Sequence, residues 1–304
     1  MEYLVWVGPR DSDIQFSKSF KDSICYFSNK NPIPNRKTHI YGKTFINFIE
    51  VKMKHILRLH SNARFIFYNP KIAYSLNEEM TKYVLCLNKK YILDLLSDKI
   101  YTRYWMANYV PVLPSILQDS CHLSFDELEN KLGYFPAYIV QQNRSSGGFG
   151  TFYVSRENRM LKTLSETYTE LFIVSPYIEN CLSVNINALI GEKQIYFFPL
   201  SLQITEQNGN RLIYHGSDYI SIRNLSLDKQ TKVQDYTKKI LQVIQSLGYR
   251  GIIGIDFIIK GDMVYFQELN PRYQASSFLI DASLKEMGYP DLAKMNIDLF
   301  YGYN

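Results

Sequence analysis

Three polar residues in the last quarter of this 304-residue chain have the types and the spacing of a divalent-cation site, and an arginine follows them. Glu268 and Asn270 lie two residues apart in a predicted strand, so their side chains point to the same face. Asp256 lies in the preceding predicted strand, which a short turn makes the antiparallel neighbour. Such oxygen ligands suit Mg²⁺, which proteins hold through a few carboxylates together with substrate phosphates. The pattern predicts a magnesium site with Arg272 within reach of a phosphoryl oxygen; the alternative is an amphipathic hairpin with solvated carboxylates.

The register of this hairpin decides whether the site can form. Asp256 and Glu268 share a face only if they lie opposite each other. A two-residue turn at Gly261 and Asp262 would pair Asp256 with Gln267 and send Glu268 to the other face. We therefore predict a three- or five-residue turn centred on Asp262, or a bulge that restores the pairing.

A glycine-rich segment from Gln141 to Gly150 is a second candidate for chemistry. It lies between two predicted strands, whereas a P-loop or a dinucleotide-binding motif needs a helix directly after its glycines. The backbone N–H groups of a strand–loop–strand flap can close over phosphates. A plain hairpin turn is the alternative interpretation.

The composition excludes several classes of protein. The chain is 46% hydrophobic and 21% charged, as globular proteins are. Its net charge is +5, but the basic residues are scattered, which suits a polyphosphate substrate better than a nucleic acid. The four cysteines form no CxxC pair, so we expect neither a zinc site nor disulfides. We find no signal peptide and no apolar run of about 18 residues, so we expect a cytoplasmic protein without membrane contact.

The first part of the chain alternates strands and a helix. Predicted strands at residues 3–7, 64–68 and 83–87, with a helix at 45–59, indicate a small α/β module with a parallel sheet over residues 1–98. A substrate pocket is expected to involve the turn after the first strand.

Strands dominate the rest of the chain. Predicted strands lie at residues 137–141, 150–154, 171–174, 183–190, 194–202, 212–213, 251–259 and 263–270. Predicted helices lie at residues 91–108, 125–132, 233–247 and 275–287.

In this order the motifs resemble the ATP-grasp superfamily, most strongly over residues 99–276. Lys99 resembles the lysine that contacts ATP phosphates at the start of the central domain. The flap and a hinge strand at 174–178 resemble the segments that cover the phosphates and hold adenine. Asp256, Glu268 and Asn270 match the metal ligands, and Arg272 matches the arginine that follows them.

The resemblance implies a set of site residues. Lys99 and Arg272 are the implied catalytic residues. The implied nucleotide-binding residues are Lys99, Gln141, Ser145, Ser146, Gly147, Gly148, Gly150, Ser175, Tyr177, Ile178 and Glu179. Two of these depart from the family pattern. Gln141 stands where a lysine is usual, with Arg144 as a candidate for the missing charge, and Ser175 stands where an acidic residue usually begins the hinge.

The resemblance also implies an α/β (α+β) fold of the ATP-grasp type. We expect an N-terminal Rossmann-like module at residues 1–98, a central subdomain with the flap at 99–175, and a C-terminal subdomain with the metal site at 176–304. The implied cofactors are ATP and one or two Mg²⁺ ions, for which Mn²⁺ can substitute.

The implied activity is that of an ATP-dependent ligase that joins a small carboxylate to an amine through an acyl phosphate. A kinase, a carboxylase, a non-catalytic ATP-binding regulator and a nucleic-acid binder are the alternatives that the sequence leaves open. Many members of the superfamily dimerise, so a homodimer is compatible with the resemblance.

Overall fold

The computed structural model of the chain describes residues 2–27, 42–145, 150–158 and 160–302. Its strands are Tyr3–Gly8 (β1), Phe20–Cys25 (β2), Ala63–Phe67 (β3), Ile116–Asp119 (β4), Ala137–Gln142 (β5), Thr151–Ser155 (β6), Leu171–Pro176 (β7), Leu182–Ile190 (β8), Ile195–Phe197 (β9), Ser201–Asn208 (β10), Arg211–Asp218 (β11), Gly251–Lys260 (β12) and Met263–Asn270 (β13). Its α-helices are Lys43–Leu59 (α1), Glu78–Thr81 (α2), Lys90–Leu96 (α3), Lys99–Met106 (α4), Phe125–Leu132 (α5), Met160–Thr167 (α6), Leu227–Ser246 (α7), Ser277–Glu286 (α8) and Leu292–Tyr301 (α9).

The N-terminal part contains a three-stranded parallel sheet in the order β2-β1-β3. Helix α1 has apolar residues at helical spacing, and its Phe45, Ile49 and Met53 are buried in one core with Val5 and Phe65. The predicted parallel α/β arrangement of this part is therefore confirmed. Its Rossmann-like character stays a prediction, as do the three domain boundaries.

The strand predicted at residues 83–87 is wrong in extent. The structure contains a single parallel bridge between Phe65 and Val84. Cys86 has φ 54°, in the left-handed region where an extended strand cannot continue.

The larger sheet has ten strands and is antiparallel along its whole path, in the order β13-β12-β8-β10-β11-β6-β5-β7-β4, with β9 paired to β8. Strand β12 lies between β8 and β13, and its burial on both faces explains its nearly continuous apolar sequence. Helix α7 covers one face, where Ile240 and Ile244 pack in one core with Ile255, Phe257 and Phe266. The result is the mixed α/β class that the sequence predicts.

Two further predictions of single elements are wrong because local side chains divide them. The predicted helix at 91–108 is two helices, since the carboxylate of Asp98 accepts a hydrogen bond from the Tyr101 N–H and starts α4 anew. The predicted strand at 194–202 is divided into β9 and β10 around Pro199, which lacks an N–H for the sheet. Among the strands and α-helices of the described residues, five were not predicted: β2, β4, α2, α6 and α9.

No helix in the described part of the chain is both long enough and apolar enough to cross a membrane. The four cysteines are free thiols.

Asp281 provides a pH-dependent test of the packing of α8 against α9. Its buried Oδ1 accepts a hydrogen bond from the Leu292 N–H at 2.6 Å, and burial raises the pKa of this carboxyl to about 7. The folded chain therefore keeps a proton that the unfolded chain releases near pH 4, so stability falls as the pH rises through 7. We expect Asp281→Asn to remove about 2–4 kcal/mol of this pH dependence, measured by urea unfolding at pH 4.5 and 8.

The matched control for this experiment is Asp126→Asn, at a side chain that is 90% exposed. The stability of this control should depend on pH as that of the wild type does. If the free energy of unfolding changed equally between pH 4.5 and 8 in the wild type and in Asp281→Asn, the prediction would be contradicted.

Candidate active site

The β12–β13 hairpin places its acidic residues opposite each other through a bulge. Lys260 pairs with Met263 across a two-residue turn, yet Asp256 pairs with Glu268 because the register shifts between Asp256 and Phe257. Phe257 pairs with Phe266, so Gln267 is the extra residue on β13. The predicted bulge is confirmed, and the alternative of a longer turn is wrong. One added residue thus brings both carboxylates to the same face of the sheet.

The two carboxylates are held together by Asn270. Its Nδ2 donates to Asp256 Oδ2 at 3.0 Å and to Glu268 Oε1 at 3.3 Å. Burial and the negative charge of Glu268 raise the pKa of Asp256 to about 7. Burial also acts to raise the pKa of Glu268, but Lys99, whose Nζ lies 3.1 Å from Glu268 Oε2, outweighs it and lowers this pKa.

This donor set fits a divalent cation. Two carboxylates at one place repel each other, that of Asp256 buried and that of Glu268 17% exposed, and a doubly charged ion bound to their oxygens would relieve that repulsion. Asn270 fits less directly, because its Oδ1 accepts a hydrogen bond from Arg272 Nη2 at 2.8 Å while its nitrogen faces the carboxylates. Coordination through Asn270 Oδ1 would require its amide group to rotate by half a turn. The present orientation of the amide is the one assigned from its hydrogen bonds.

Two neutral amides on neighbouring strands complete the surroundings of Asp256. Asn185 Nδ2 on β8 and Gln203 Nε2 on β10 both donate to Asp256 Oδ1, the latter at 3.2 Å. They stabilise the carboxylate without adding a cation. Sequence reasoning missed both residues, although Ser183, Asn185 and Asn187 alternate with apolar residues in strand β8 and mark its polar face.

Lys99 joins the hairpin to the flap. It is the first residue of α4, it is 7% exposed, and its Nζ lies 3.3 Å from Ser145 Oγ as well as beside Glu268. Asn143 fixes the start of the flap, because its Oδ1 accepts from the Ile100 N–H and its Nδ2 donates to Asp98. The first residues of the flap therefore lie beside the N-terminal end of α4.

The described flap residues include one glycine that cannot be replaced easily. Gly150 has φ 73°, and a Cβ there would lie 2.2 Å from Gln142 Oε1. Its carbonyl accepts the Gln142 N–H at 2.8 Å, which closes the base of the flap. The predicted phosphate-binding residues Ser146, Gly147 and Gly148 lie outside the described residues.

Arg103 is a buried cation that sequence reasoning missed. It lies one turn after Lys99 on α4 and is only 2% exposed. Its guanidinium donates to Gln141 Oε1 and Ser175 Oγ, each at 3.0 Å, and to the Gln267 carbonyl at 3.3 Å. Burial lowers the pKa of Arg103 to about 10, which leaves it charged at neutral pH. An arginine four residues after a lysine was the available signal, since such residues share a helix face.

Arg103 changes the interpretation of Gln141. Strand β5 lacks the usual lysine, and the structure places the nearest buried positive charge on α4 instead. Arg144, the candidate from the sequence, is 59% exposed and lies 3.7 Å from Asp98. It therefore faces the start of α4 rather than Gln141.

The predicted hinge residues follow β7, and their role in binding adenine stays a prediction. Ser175 is buried against Arg103, and the Tyr177 N–H donates to the Ala137 carbonyl at 3.0 Å. That N–H is engaged in the sheet, so it is not offered to a base. Ile178 is half-buried and Glu179 is exposed, and the Glu179 carbonyl accepts from Lys260 Nζ at 2.6 Å.

We expect Arg103→Met to lower the free energy of unfolding by about 2 kcal/mol, because Gln141 and Ser175 lose a charged donor in a buried place. Arg103→Lys keeps the charge but reaches fewer acceptors. Its free energy of unfolding should therefore lie between those of Arg103→Met and the wild type. Urea unfolding measures the change, with Arg58→Met on the exposed face of α1 as control. An Arg103→Met protein as stable as the control would show that these bonds contribute nothing.

Parts of the sequence are similar to known proteins. A carbamoyl phosphate synthase large chain of Archaeoglobus fulgidus is 27% identical over 186 residues, which are 58% of this chain and 16% of that protein. A [butirosin acyl-carrier protein]–L-glutamate ligase of Niallia circulans is 26% identical over 110 residues, 34% of this chain and 24% of that protein. The chain thus spans a quarter or less of the length of these curated relatives.

Solved structures resemble the fold over almost the whole chain. Biotin carboxylase of Campylobacter jejuni, in complex with a β,γ-ATP ligand, has a TM-score of 0.67 at 16% identity, covering 100% of this chain and 66% of that one. N5-carboxyaminoimidazole synthetase of Staphylococcus aureus, in complex with ADP, has a TM-score of 0.59 at 19% identity, covering 90% and 65%.

The family model of the ATP-grasp domain matches residues 96–276. This segment runs from the end of α3 to the start of α8 and includes Lys99, the flap and the β12–β13 hairpin. Because the match covers more than half of the 304 residues, the chain belongs to the ATP-grasp family.

Proposed function

We propose that this chain is an ATP-dependent ligase that joins a small carboxylate to an amine, with Mg-ATP bound between two ATP-grasp subdomains. The observation that carries the proposal is the pairing of Asp256 with Glu268 through the bulge, with Lys99 and Arg272 beside them. A site that combines two carboxylates with two cations is suited to a metal–polyphosphate complex. The likeness to a protein named as an L-glutamate ligase supports the choice of a ligase.

The proposed reaction has two steps. A carboxylate oxygen of the first substrate attacks the γ-phosphorus of ATP, and the bond from that phosphorus to the bridging oxygen breaks, which gives ADP and an acyl phosphate. The amine then attacks the acyl carbon, phosphate leaves with the electron pair of the C–O bond, and the nitrogen loses a proton. Positioning and neutralisation of charge are the main contributions that a protein makes to such phosphoryl transfer.

Each residue of the site has a role in this proposal. Asp256, Glu268 and, after rotation of its amide, Asn270 would hold one or two Mg²⁺ ions, and Mn²⁺ accepts the same ligands. A metal held there would neutralise charge on the phosphates. Lys99 and the flap N–H groups would bind the β- and γ-phosphates, and Arg272 would stabilise the transferred phosphoryl group. Gln141, held by Arg103, offers its Nε2 as a neutral hydrogen-bond donor, which lies 3.4 Å from Thr151 Oγ1.

The wider expectations remain part of the proposal. The subdomains would comprise residues 99–175, which contribute Lys99 and the flap, and 176–304, which contribute the metal hairpin. We expect small-molecule substrates rather than nucleic acid, and a cytoplasmic location. A homodimer is compatible with this reading.

We expect Mg-ATP to raise the melting temperature of the protein, and ATP without a divalent metal to do so far less. Ligand at a hundredfold excess over its Kd stabilises the native state by about 2.7 kcal/mol. Glu268→Gln, which keeps the side-chain volume but removes the charge, should weaken Mg-ATP binding at least tenfold. The control is Glu286→Gln on the exposed end of α8. No Mg-ATP interaction at millimolar concentration in the wild type would overturn the proposal.

We expect release of ADP to require both a carboxylate and an amine. The measurement is ADP formation from Mg-ATP with a panel of amino acids and small carboxylates, each with and without primary amines. Hydroxylamine in place of the amine should trap the acyl phosphate as a hydroxamate. Release of ADP with bicarbonate alone would indicate a carboxylase. A stable phosphorylated product would indicate a kinase, and binding of Mg-ATP without turnover would indicate a regulator.

A further inference from the structure

A polar patch lies on one face of three neighbouring strands, β8, β12 and β13. Each strand contributes two residues that are two positions apart, and the strand pairing aligns them in two rows. Residues that pair across antiparallel strands share a face, and so do residues two apart in one strand. We call this set the polar grid; one row contains Asn185, Asp256 and Glu268, and the other contains Asn187, Gly254 and Asn270.

Gly254 is the position of the polar grid that has no side chain, and Gln274 fills the space above it. A Cβ at residue 254 would lie 1.9 Å from Gln274 Oε1, so a larger residue would displace that amide. Strand β12 is paired on both sides, where a glycine weakens a strand and commonly marks the close approach of another group. The φ angle of Gly254 lies outside the left-handed region, so the backbone does not require glycine. The glycine therefore serves the approach of Gln274.

The side-chain amide of Asn185 is held at both of its ends. Its Nδ2 donates to Asp256 Oδ1 and, at 3.0 Å, to Gln274 Oε1, with a longer contact of 3.3 Å to the Ile255 carbonyl. Its Oδ1 accepts from Asn187 Nδ2 at 2.9 Å. If this amide turned over, its oxygen would face the oxygens of Asp256 and Gln274, which donate nothing to it. Gln274 therefore helps to fix the orientation in which Asn185 donates to Asp256.

The two oxygens of Asp256 have different surroundings as a result. Oδ1 accepts from Asn185 and, at 3.2 Å, from Gln203, and two donors use both lone pairs of a carboxylate oxygen. The described partner of Oδ2 is Asn270 Nδ2 at 3.0 Å, and this nitrogen also donates to Glu268. Oδ2 is thus the Asp256 oxygen that lies toward Glu268 and that retains capacity for a cation.

We propose that Gln274 is a positioning residue for the metal site. It holds the Asn185 amide, which in turn holds Asp256 by Oδ1 and leaves Oδ2 directed toward a cation shared with Glu268. This inference rests on the proposed function and adds a residue to it. Gln274 acts through Asn185, and Gly254 provides the space that lets it do so.

The test measures the Kd of Mg-ATP by calorimetry in variants of Gln274. Gln274→Met is similar in length but removes the acceptor for Asn185, so the Kd should rise about tenfold, as is typical when a metal ligand loses a supporting partner. Gln274→Glu keeps an oxygen that can accept from Asn185, so it should bind Mg-ATP as the wild type does. The matched control is Gln245→Met, at a half-buried glutamine whose amide donates to the carbonyls of Gly191 and Glu192. Its Kd should be unchanged.

Gly254→Ala tests the same contact from the strand. The added Cβ should displace the Gln274 amide and raise the Kd of Mg-ATP by about tenfold as well. The double variant with Gln274→Met should lose no more affinity than either single variant, because both changes remove one contact. Gly216→Ala in β11 is the control, since a Cβ there has no heavy atom within 4 Å.

The outcomes separate a positioning role from a structural one. Urea unfolding without divalent metal shows which variants are folded. A wild-type Kd in folded Gln274→Met or in folded Gly254→Ala would overturn the proposal. So would an equal loss in Gln274→Glu and Gln274→Met, because the acceptor oxygen would then make no difference, and so would additive losses in the double variant. Failure of the wild type to bind Mg-ATP would instead refute the proposed function.

Discussion

One extra residue in a strand sets the geometry on which the candidate active site depends. Gln267 bulges from β13, and the register on the far side of the bulge places Glu268 opposite Asp256. Side chains alternate between the faces of a strand, so without the extra residue one carboxylate would leave the site. The bulged residue is also held, because its carbonyl accepts a hydrogen bond from Arg103. The same arginine therefore touches the bulge and the strand that precedes the flap.

The balance of charge around the hairpin is the second constraint. Lys99 contacts Glu268 and Arg272 contacts Asn270, whereas the described partners of Asp256 Oδ1 are the neutral amides of Asn185 and Gln203. The carboxylates are thus partly compensated, which keeps one of them readily ionised while the pKa of the other remains near neutrality. This balance of charge would suit a divalent cation and the phosphates that accompany it, as the proposed function requires.

Elements with a strong period or a clear end signal were predictable from the sequence. Helix α5 has the predicted bounds, with Ser124 as its N-cap and Gly133 after its last residue. Strands β12 and β13 agree with the prediction to within one residue. Predictions failed where one residue ends an element inside an apolar run, as Asp98 does between α3 and α4. Short edge elements such as β4 were missed, because they carry too few residues to show a period.

The sequence by itself determined the chemistry of the hairpin: the spacing of Glu268 and Asn270 fixes their common face, and parity requires a bulge or an odd turn to bring Asp256 to it. Only the tertiary structure decided which solution occurs and which other residues meet there. Arg103 and Asn185 approach from elements far away in the sequence, and no local pattern encodes the distance between two strands or between a helix and a sheet. Those contacts arise from the packing of whole layers, which depends on all of their apolar faces at once.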